Sequence, residues 1–148
     1  MIKHFIDVSD QELYKFLTYC MFPNEERIFQ QCKLYKTSED RSLHGIYSKD
    51  ILVGIIGLIH HPDEIEIKHI AIETEYRHKG IGQELVKAIS ELYPDLELIA
   101  ETDKDAVDFY KKVGFTIISL GEKYPGTERF KCVYKNFERD FEGISGKA

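Results

Sequence analysis

The stretch EYRHKGIGQEL, residues 75–85, combines basic residues, two glycines and the start of a helical pattern. Residues 77–79 carry basic or titratable side chains and stand directly before Gly80 and Gly82. The first N–H groups of a helix have no intrahelical partner, and with the helix dipole they attract anions. Glycine has no side chain that would keep a phosphate away from those N–H groups. The stretch therefore predicts a binding site for a phosphate-bearing ligand.

Other phosphate-binding motifs differ from this stretch in their letters. A dinucleotide fingerprint requires a third glycine where Leu85 stands, and a P-loop requires Gly-Lys-Ser or Gly-Lys-Thr after four spacer residues. Taken alone, the Gly-x-Gly pair is also compatible with an ordinary turn whose basic residues are only solvated. A second motif is needed to decide between a phosphate-binding loop and an ordinary turn.

The elements around this stretch are predicted from hydrophobic period and turn residues. Strands are predicted at 2–6, 42–47, 51–60, 64–72 and 96–100, with a final hairpin at 116–120 and 129–134, and helices at 10–20, 24–35, 82–92 and 103–113. Ser9 or Asp10 is expected to cap the first helix, and Gly114 to end the last one. Gly54 and Gly57 lie in the predicted strand 51–60, where their lack of a side chain is expected to let neighbouring groups approach the main chain closely. No linker or repeat interrupts the chain, so a single domain over 1–148 is predicted, with a frayed tail from 142 to 148.

Composition restricts the function class. The chain has 148 residues and a net charge of −6, which argues against a nucleic-acid partner, because such binding depends on many Lys and Arg residues. Its longest apolar run, 51–59, is too short to span a bilayer, so no membrane partner is expected. Cys20, Cys32 and Cys132 form no CxxC pair and are interpreted as reduced core thiols of a cytoplasmic protein.

A second motif, AVDFYKKVGF at residues 106–115, decides between the readings of the glycine pair. Residues 77–82 resemble the [QR]-x-x-G-x-[GA] motif of the GNAT superfamily of N-acetyltransferases, and residues 106–115 are similar to that family's A-x-x-[FL]-Y-x-[KR]-x-G-F signature. The predicted element order also agrees with the family fold. The resemblance implies an α/β (α+β) fold with a mixed, mostly antiparallel sheet of six to seven strands. About four helices would flank this sheet, and its fourth and fifth strands would splay apart.

The resemblance also implies the donor, acetyl-CoA, as co-substrate, with no metal. Main-chain amides from His78 to Gly82 would hold the pyrophosphate of coenzyme A, with charge from Arg77 and Lys79 at its edge. The pantetheine arm would pair with the main chain around Ile70 and Ile72. The implied cofactor-binding residues are Ile70, Ala71, Ile72, Arg77, His78, Lys79, Gly80, Ile81, Gly82, Asp103, Ala106 and Phe109. The family often has Asn where Asp103 stands, and an ionised Asp cannot donate a hydrogen bond, so that contact is expected to differ.

Catalytic roles follow from the same resemblance. Tyr110 would donate a proton to the departing thiolate, Glu66 would accept the proton of the amine, and the N–H of Ile70 would stabilise the oxyanion. His69 is expected to face away from Glu66, because side chains alternate along a strand. Two plainer readings stay open: Tyr110 as a packed aromatic residue and Glu66 as an exposed strand residue.

The predicted activity is acetyl transfer to a primary amine of a small molecule or peptide. The alternatives are a non-catalytic acyl-CoA-binding regulatory module, or acetylation of a protein lysine or N-terminus. A metal site at His60, His61, Asp63 and Glu64 is disfavoured, because neighbouring strand residues point to opposite faces. Homodimer formation is left open.

Overall fold

The computed structural model describes residues 1–135, and the predicted tail at 142–148 lies outside this part of the chain. In the described part, seven strands are numbered β1–β7 and four α-helices α1–α4 in chain order. The strands are Ile2–Lys3, Arg41–Ser48, Ile51–His60, Glu64–Ile72, Glu97–Asp103, Thr116–Tyr124 and Thr127–Tyr134, and the helices are Asp10–Thr18, Glu25–Thr37, Ile81–Leu92 and Val107–Val113. A 3₁₀ turn at Thr74–Tyr76 follows β4.

The strands form one mixed sheet in the order β1-β2-β3-β4-β5-β7-β6. Antiparallel ladders join β1 with β2, β2 with β3, β5 with β7 and β6 with β7, whereas β4 and β5 are parallel. The β4–β5 ladder pairs residues 64–66 with 97–99 and ends there, although β4 continues to Ile72 and β5 to Asp103. The predicted fold class and the predicted splay between the fourth and fifth strands are confirmed.

Contacts divide the chain into two compact units, and each is described by itself. The first comprises Met1–His61 and Ile67–Ala88, and the second comprises Pro62–Glu66 and the chain from Ile89 onward. The prediction of a single domain stays a prediction.

The core of the first unit lies between α1, α2 and one face of the sheet. Its buried members are Val8, Leu13, Phe16, Leu17, Ile28, Cys32, Tyr35, Leu43, Leu52, Ile55 and Ala71. Ser9 caps α1 by accepting the Glu12 N–H at 3.1 Å, and Asn24 caps α2 by accepting the Arg27 N–H at 3.0 Å. Burial along β4 alternates, with residues 65, 67, 69 and 71 buried. His69 therefore faces away from Glu66, as predicted.

The two glycines of β3 have the predicted packing role. A Cβ on Gly57 would lie 2.1 Å from the Tyr35 hydroxyl oxygen, and one on Gly54 would lie 2.7 Å from Cδ1 of Ile72. A Cβ on Gly57 would meet three atoms of the rigid Tyr35 ring, so this position requires glycine for the ring to lie where it does, whereas on Gly54 the contact is with the movable end of the Ile72 side chain.

Four predictions about elements and burial are wrong. The last helix begins at Val107 instead of 103, because Asp103 ends β5 and its Oδ1 accepts the N–H groups of Asp105 and Ala106 at 3.0 and 3.2 Å, which forms a turn first. Cys20 is exposed instead of buried, because α1 ends at Thr18 and the helical period stops before it. The final hairpin has longer strands than expected, and β1 is shorter.

Candidate active site

The loop before α3 has the backbone shape that anion cradles require. His78 and Gly80 have φ values of +62° and +81°, in the left-handed region. The Glu84 N–H donates to the Gly80 carbonyl at 3.0 Å, so α3 starts directly after Gly80. Among residues 1–135, and apart from Gly80 and its two chain neighbours, no atom lies within 4 Å of the place that a Cβ on Gly80 would occupy. Alternating backbone conformations of this kind turn successive N–H groups toward one concave surface, which favours an anion.

Arg77, the first residue of the glycine motif, supports this loop. Its Nε donates to the Ile72 carbonyl at 3.0 Å, and its guanidinium lies 5.2 Å from the centre of the Tyr19 ring. Lys79 lies over the Tyr76 ring at 5.5 Å. Arg77 therefore joins the loop to the end of β4, a role that the sequence did not reveal.

A carboxylate at the end of β4 ties α1 to the same place. The Tyr19 hydroxyl donates to Glu73 Oε1 at 2.6 Å, and the Lys15 ammonium lies 3.3 Å from Glu73 Oε2. The bond from Tyr19 is the main cause that lowers the pKa of Glu73, and Lys15 and Arg77 act in the same direction. The same bond raises the pKa of Tyr19. An ionised Glu73 thus holds α1 against the strand that leads into the loop.

The predicted pantetheine-binding residues 70–72 are the last three residues of β4. Ala71 is buried in the core, while Ile70 and Ile72 on the opposite face are half-buried. Cys20, which follows α1, lies near the Ile70 main chain, and its thiol donates to the Leu17 carbonyl at 3.7 Å. Burial of the thiol raises the pKa of Cys20 to about 12, and the Ile70 main chain acts in the opposite direction.

Within the first unit, the structure thus brings together residues 70–72 and 77–82, joined by the Arg77–Ile72 hydrogen bond. Tyr19 and Glu73 were not predicted as site residues. Because 54 positions separate them, no local pattern in the sequence could have paired them.

The second unit holds the predicted residues Asp103, Ala106, Phe109 and Tyr110. Tyr110 is 6% exposed and its ring lies 5.1 Å from the rings of both Phe109 and Phe115, in edge-to-face contact. The packed aromatic role considered for Tyr110 is therefore present. It does not exclude a reactive hydroxyl, since a tyrosine combines an apolar ring with a polar end.

Glu66, the predicted base, lies at the end of the β4–β5 ladder, opposite Ile99. Its side chain is half-buried on the strand face that it shares with Glu64. Its role as a base stays a prediction.

The sequence pattern of the acetyltransferase (GNAT) domain matches residues 6–125 of the chain. The chain belongs to the GNAT acetyltransferase family. Family membership confirms the resemblance and the predicted enzyme class, an acyltransferase.

Relatives and solved structures agree with this membership. An N-acetyltransferase of Bacillus methanolicus, described as uncharacterized and encoded in the lysA 3' region, is 42% identical over 81 residues, which are 52% of this chain and 68% of that protein. The fold is similar to that of an aminoglycoside 6'-N-acetyltransferase complexed with coenzyme A, with a TM-score of 0.75 and 18% identity over 90% of this chain and 96% of that one. It is also similar to the ribosomal-protein-S18-alanine N-acetyltransferase of Escherichia coli, with a TM-score of 0.72 and 17% identity over 92% and 93% of the two chains.

In residues 1–135, no group of three or more His, Cys, Asp or Glu side chains has the arrangement of a metal site. No helix in that part of the chain is both long and apolar enough to cross a bilayer.

Proposed function

We propose that this protein is an acetyl-CoA-dependent N-acetyltransferase that transfers an acetyl group to a primary amine of a small molecule or a peptide. The observation that carries the proposal is the left-handed loop at His78 and Gly80, directly before α3, in a chain that belongs to the GNAT family. The open space beside Gly80 fits a pyrophosphate that approaches the main chain closely.

The donor would be held by main-chain groups more than by side chains. The N–H groups from His78 to Gly82 would bind the pyrophosphate, with Lys79 at its edge. The main chain of residues 70–72 would pair with the pantetheine arm as an added strand does. Asp103 is already engaged with two N–H groups of its own turn, so it offers no hydrogen-bond donor to the arm.

Acetyl transfer from a thioester requires a neutral amine, stabilisation of an oxyanion, and a proton for the leaving thiolate. Glu66 would accept the proton of the attacking amine. The Ile70 N–H would donate to the oxyanion, and the Tyr110 hydroxyl would donate a proton to the thiolate sulfur. Glu66 would end the step protonated and Tyr110 deprotonated, and proton exchange with water would restore both.

The acceptor is proposed to be cationic in solution. A net charge of −6 attracts positively charged ligands; a protonated amine would first release one proton to water, and Glu66 would accept the second as the amide forms. The helices α1 and α2 and the turn between β6 and β7 would shape the acceptor site. The two buried free thiols, Cys32 and Cys132, suit a cytoplasmic location.

Release of free thiol from acetyl-CoA, measured with a panel of polyamines, aminoglycosides, amino acids and peptides, tests the proposal. We expect turnover with at least one amine class, and competition by coenzyme A. Binding of acetyl-CoA without turnover of any acceptor would favour the non-catalytic binding module. Turnover of peptides alone would assign the activity to protein acetylation.

A further inference from the structure

A buried polar pair lies outside the residues assigned so far. Tyr35, near the end of α2, is 9% exposed, and His69, on β4, is 6% exposed. The Tyr35 hydroxyl oxygen lies 2.6 Å from Nδ1 of His69, and the two rings meet edge to face at 5.6 Å. Both residues belong to the first unit.

The intervening strand is shaped to let this pair form. Gly57 of β3 lies directly beneath the Tyr35 ring, since a Cβ at that position would lie 2.1 Å from the hydroxyl oxygen and 2.5 Å from Cζ. Without a side chain there, the ring crosses β3 and reaches β4. A glycine in an apolar strand weakens the strand, so its presence at position 57 indicates that the close approach of the Tyr35 ring compensates for this loss.

The imidazole of this pair is neutral in the folded protein. Burial lowers the pKa of His69 to about 3, and the charges of Lys68 and Arg41 act in the same direction. The Arg41 guanidinium lies 5.1 Å from the centre of the Tyr35 ring and donates to Gln31 at 2.6 Å. A neutral imidazole forms one hydrogen bond as donor and one as acceptor, so the pair is directional.

The position of His69 in the chain gives this bond a consequence for the site. The peptide group between His69 and Ile70 is planar, and it carries the N–H that the proposed function assigns to the oxyanion. An anchored side chain at His69 restricts rotation about the bonds that orient this peptide. Among the described residues, the β4–β5 ladder ends at Glu66, so β4 keeps β3 as a neighbour on one edge here, and the Tyr35–His69 bond adds a second restraint.

We propose that Tyr35 and His69 are positioning residues, which orient the His69–Ile70 peptide so that its N–H points to the carbonyl of the acetyl thioester. This inference rests on the proposed function. Neither side chain touches the substrate; both act through the main chain of β4. Gly57 supports the same pair, because its lack of a side chain leaves space for the Tyr35 ring.

Tyr35→Phe removes the hydroxyl and keeps the ring, so the fold is retained. We expect kcat to fall about 10- to 100-fold, less than the loss seen when an oxyanion donor is removed outright. KM for acetyl-CoA and the dissociation constant of coenzyme A, measured by calorimetry, stay within about twofold because the loop at 78–82 is unchanged. Tyr47→Phe, at the end of β2, is the matched control and retains its kcat.

A conservative variant separates orientation from packing. In His69→Asn the amide group takes the place of Nδ1 and can still meet the Tyr35 hydroxyl, whereas His69→Leu cannot. We expect the Asn variant to retain more than about a third of wild-type kcat, and the Leu variant to match Tyr35→Phe. Equal loss in both, or a kcat that stays unchanged in Tyr35→Phe, would overturn the inference.

A readout without turnover distinguishes failure of this inference from failure of the proposed function. The amide of Ile70 is followed by NMR, both for hydrogen exchange in the free protein and for its shift with coenzyme A and with acetyl-CoA. We expect faster exchange in Tyr35→Phe than in wild type, and an acetyl-dependent shift that the variant loses. If wild type acetylates no amine, the exchange rate still decides: an unchanged rate in Tyr35→Phe overturns the positioning role.

Discussion

Two buried histidines predict that mild acid destabilises the fold. His44 is fully buried, and its Nδ1 accepts the Phe5 N–H at 3.3 Å while Nε2 lies 2.9 Å from the Ser42 hydroxyl. Burial lowers the pKa of His44 to about 4, helped by His4 and His60. His69 has a pKa of about 3 for the reason given above.

The direction of this pH effect on the free energy of unfolding depends on which state binds more protons. Both histidines are neutral when folded and regain the ordinary value of 6.5 on unfolding, so the unfolded chain binds more protons below that pH. Their stabilisation is complete above pH 6.5 and is lost as the pH falls toward 4 and 3. At pH 5, 1.5 units below the ordinary value, each histidine costs about 2 kcal/mol, or about 4 kcal/mol together.

Urea unfolding at pH 7.5 and pH 5.0 measures this difference. With a slope of about 2 kcal/mol per molar urea, the midpoint should fall by about 2 M. His44→Asn removes one of these groups and should reduce the difference between the two pH values by about 2 kcal/mol. Burial also lowers the pKa of His60, which adds to the difference in the same direction, whereas the lowered pKa values of Glu73 and Asp40 contribute mainly below pH 5. Equal midpoints at the two pH values would refute the assignment of neutral, buried histidines.

Three further predictions concern single residues. Gly57→Ala places a methyl group against the Tyr35 ring and should lower the free energy of unfolding by about 1–3 kcal/mol in urea titration; an unchanged value would contradict the packing described. Cys20 should react with iodoacetamide at pH 8 several hundredfold more slowly than glutathione, because a pKa of about 12 instead of 9 leaves about a thousandth of the thiolate; alkylation at the rate of glutathione would be inconsistent with that pKa. Tyr110→Phe should lower kcat about 10²- to 10⁴-fold with unchanged affinity for coenzyme A, whereas a near-normal kcat would leave Tyr110 only its packing role.

Much of the fold could be predicted from local patterns. The strands Ile51–His60 and Glu64–Ile72 have the predicted bounds, because a run of apolar residues, a Pro-containing turn and strict alternation are all local features. The start of α4 could not be predicted this way. Asp103 suits a helix cap by residue type, but it uses its carboxylate in a turn that comes three residues earlier.

The features of the site also differ in whether local sequence predicts them. The glycine loop could be predicted because consecutive residues supply it, but the left-handed backbone of His78 and the bond from Arg77 to the Ile72 carbonyl could not. The bonds of Tyr19 with Glu73 and of Tyr35 with His69 join residues more than 30 positions apart, so no spacing rule finds them. Gly57 was the one local sign of the second pair, since a glycine within an apolar strand indicates a close approach.

Calorimetric binding of coenzyme A to Gly80→Ala and to Gly126→Ala tests the central claim, a main-chain cradle for pyrophosphate before α3. The two glycines form a matched pair, with φ values of +81° and +77°, and within the described part of the chain no atom beyond their sequence neighbours lies within 4 Å of the added Cβ. Each substitution should therefore cost a similar ~1–2 kcal/mol of stability through backbone strain. The account predicts that Gly80→Ala weakens coenzyme A binding more than tenfold while Gly126→Ala binds as wild type does. Equal affinity in the two variants would contradict it.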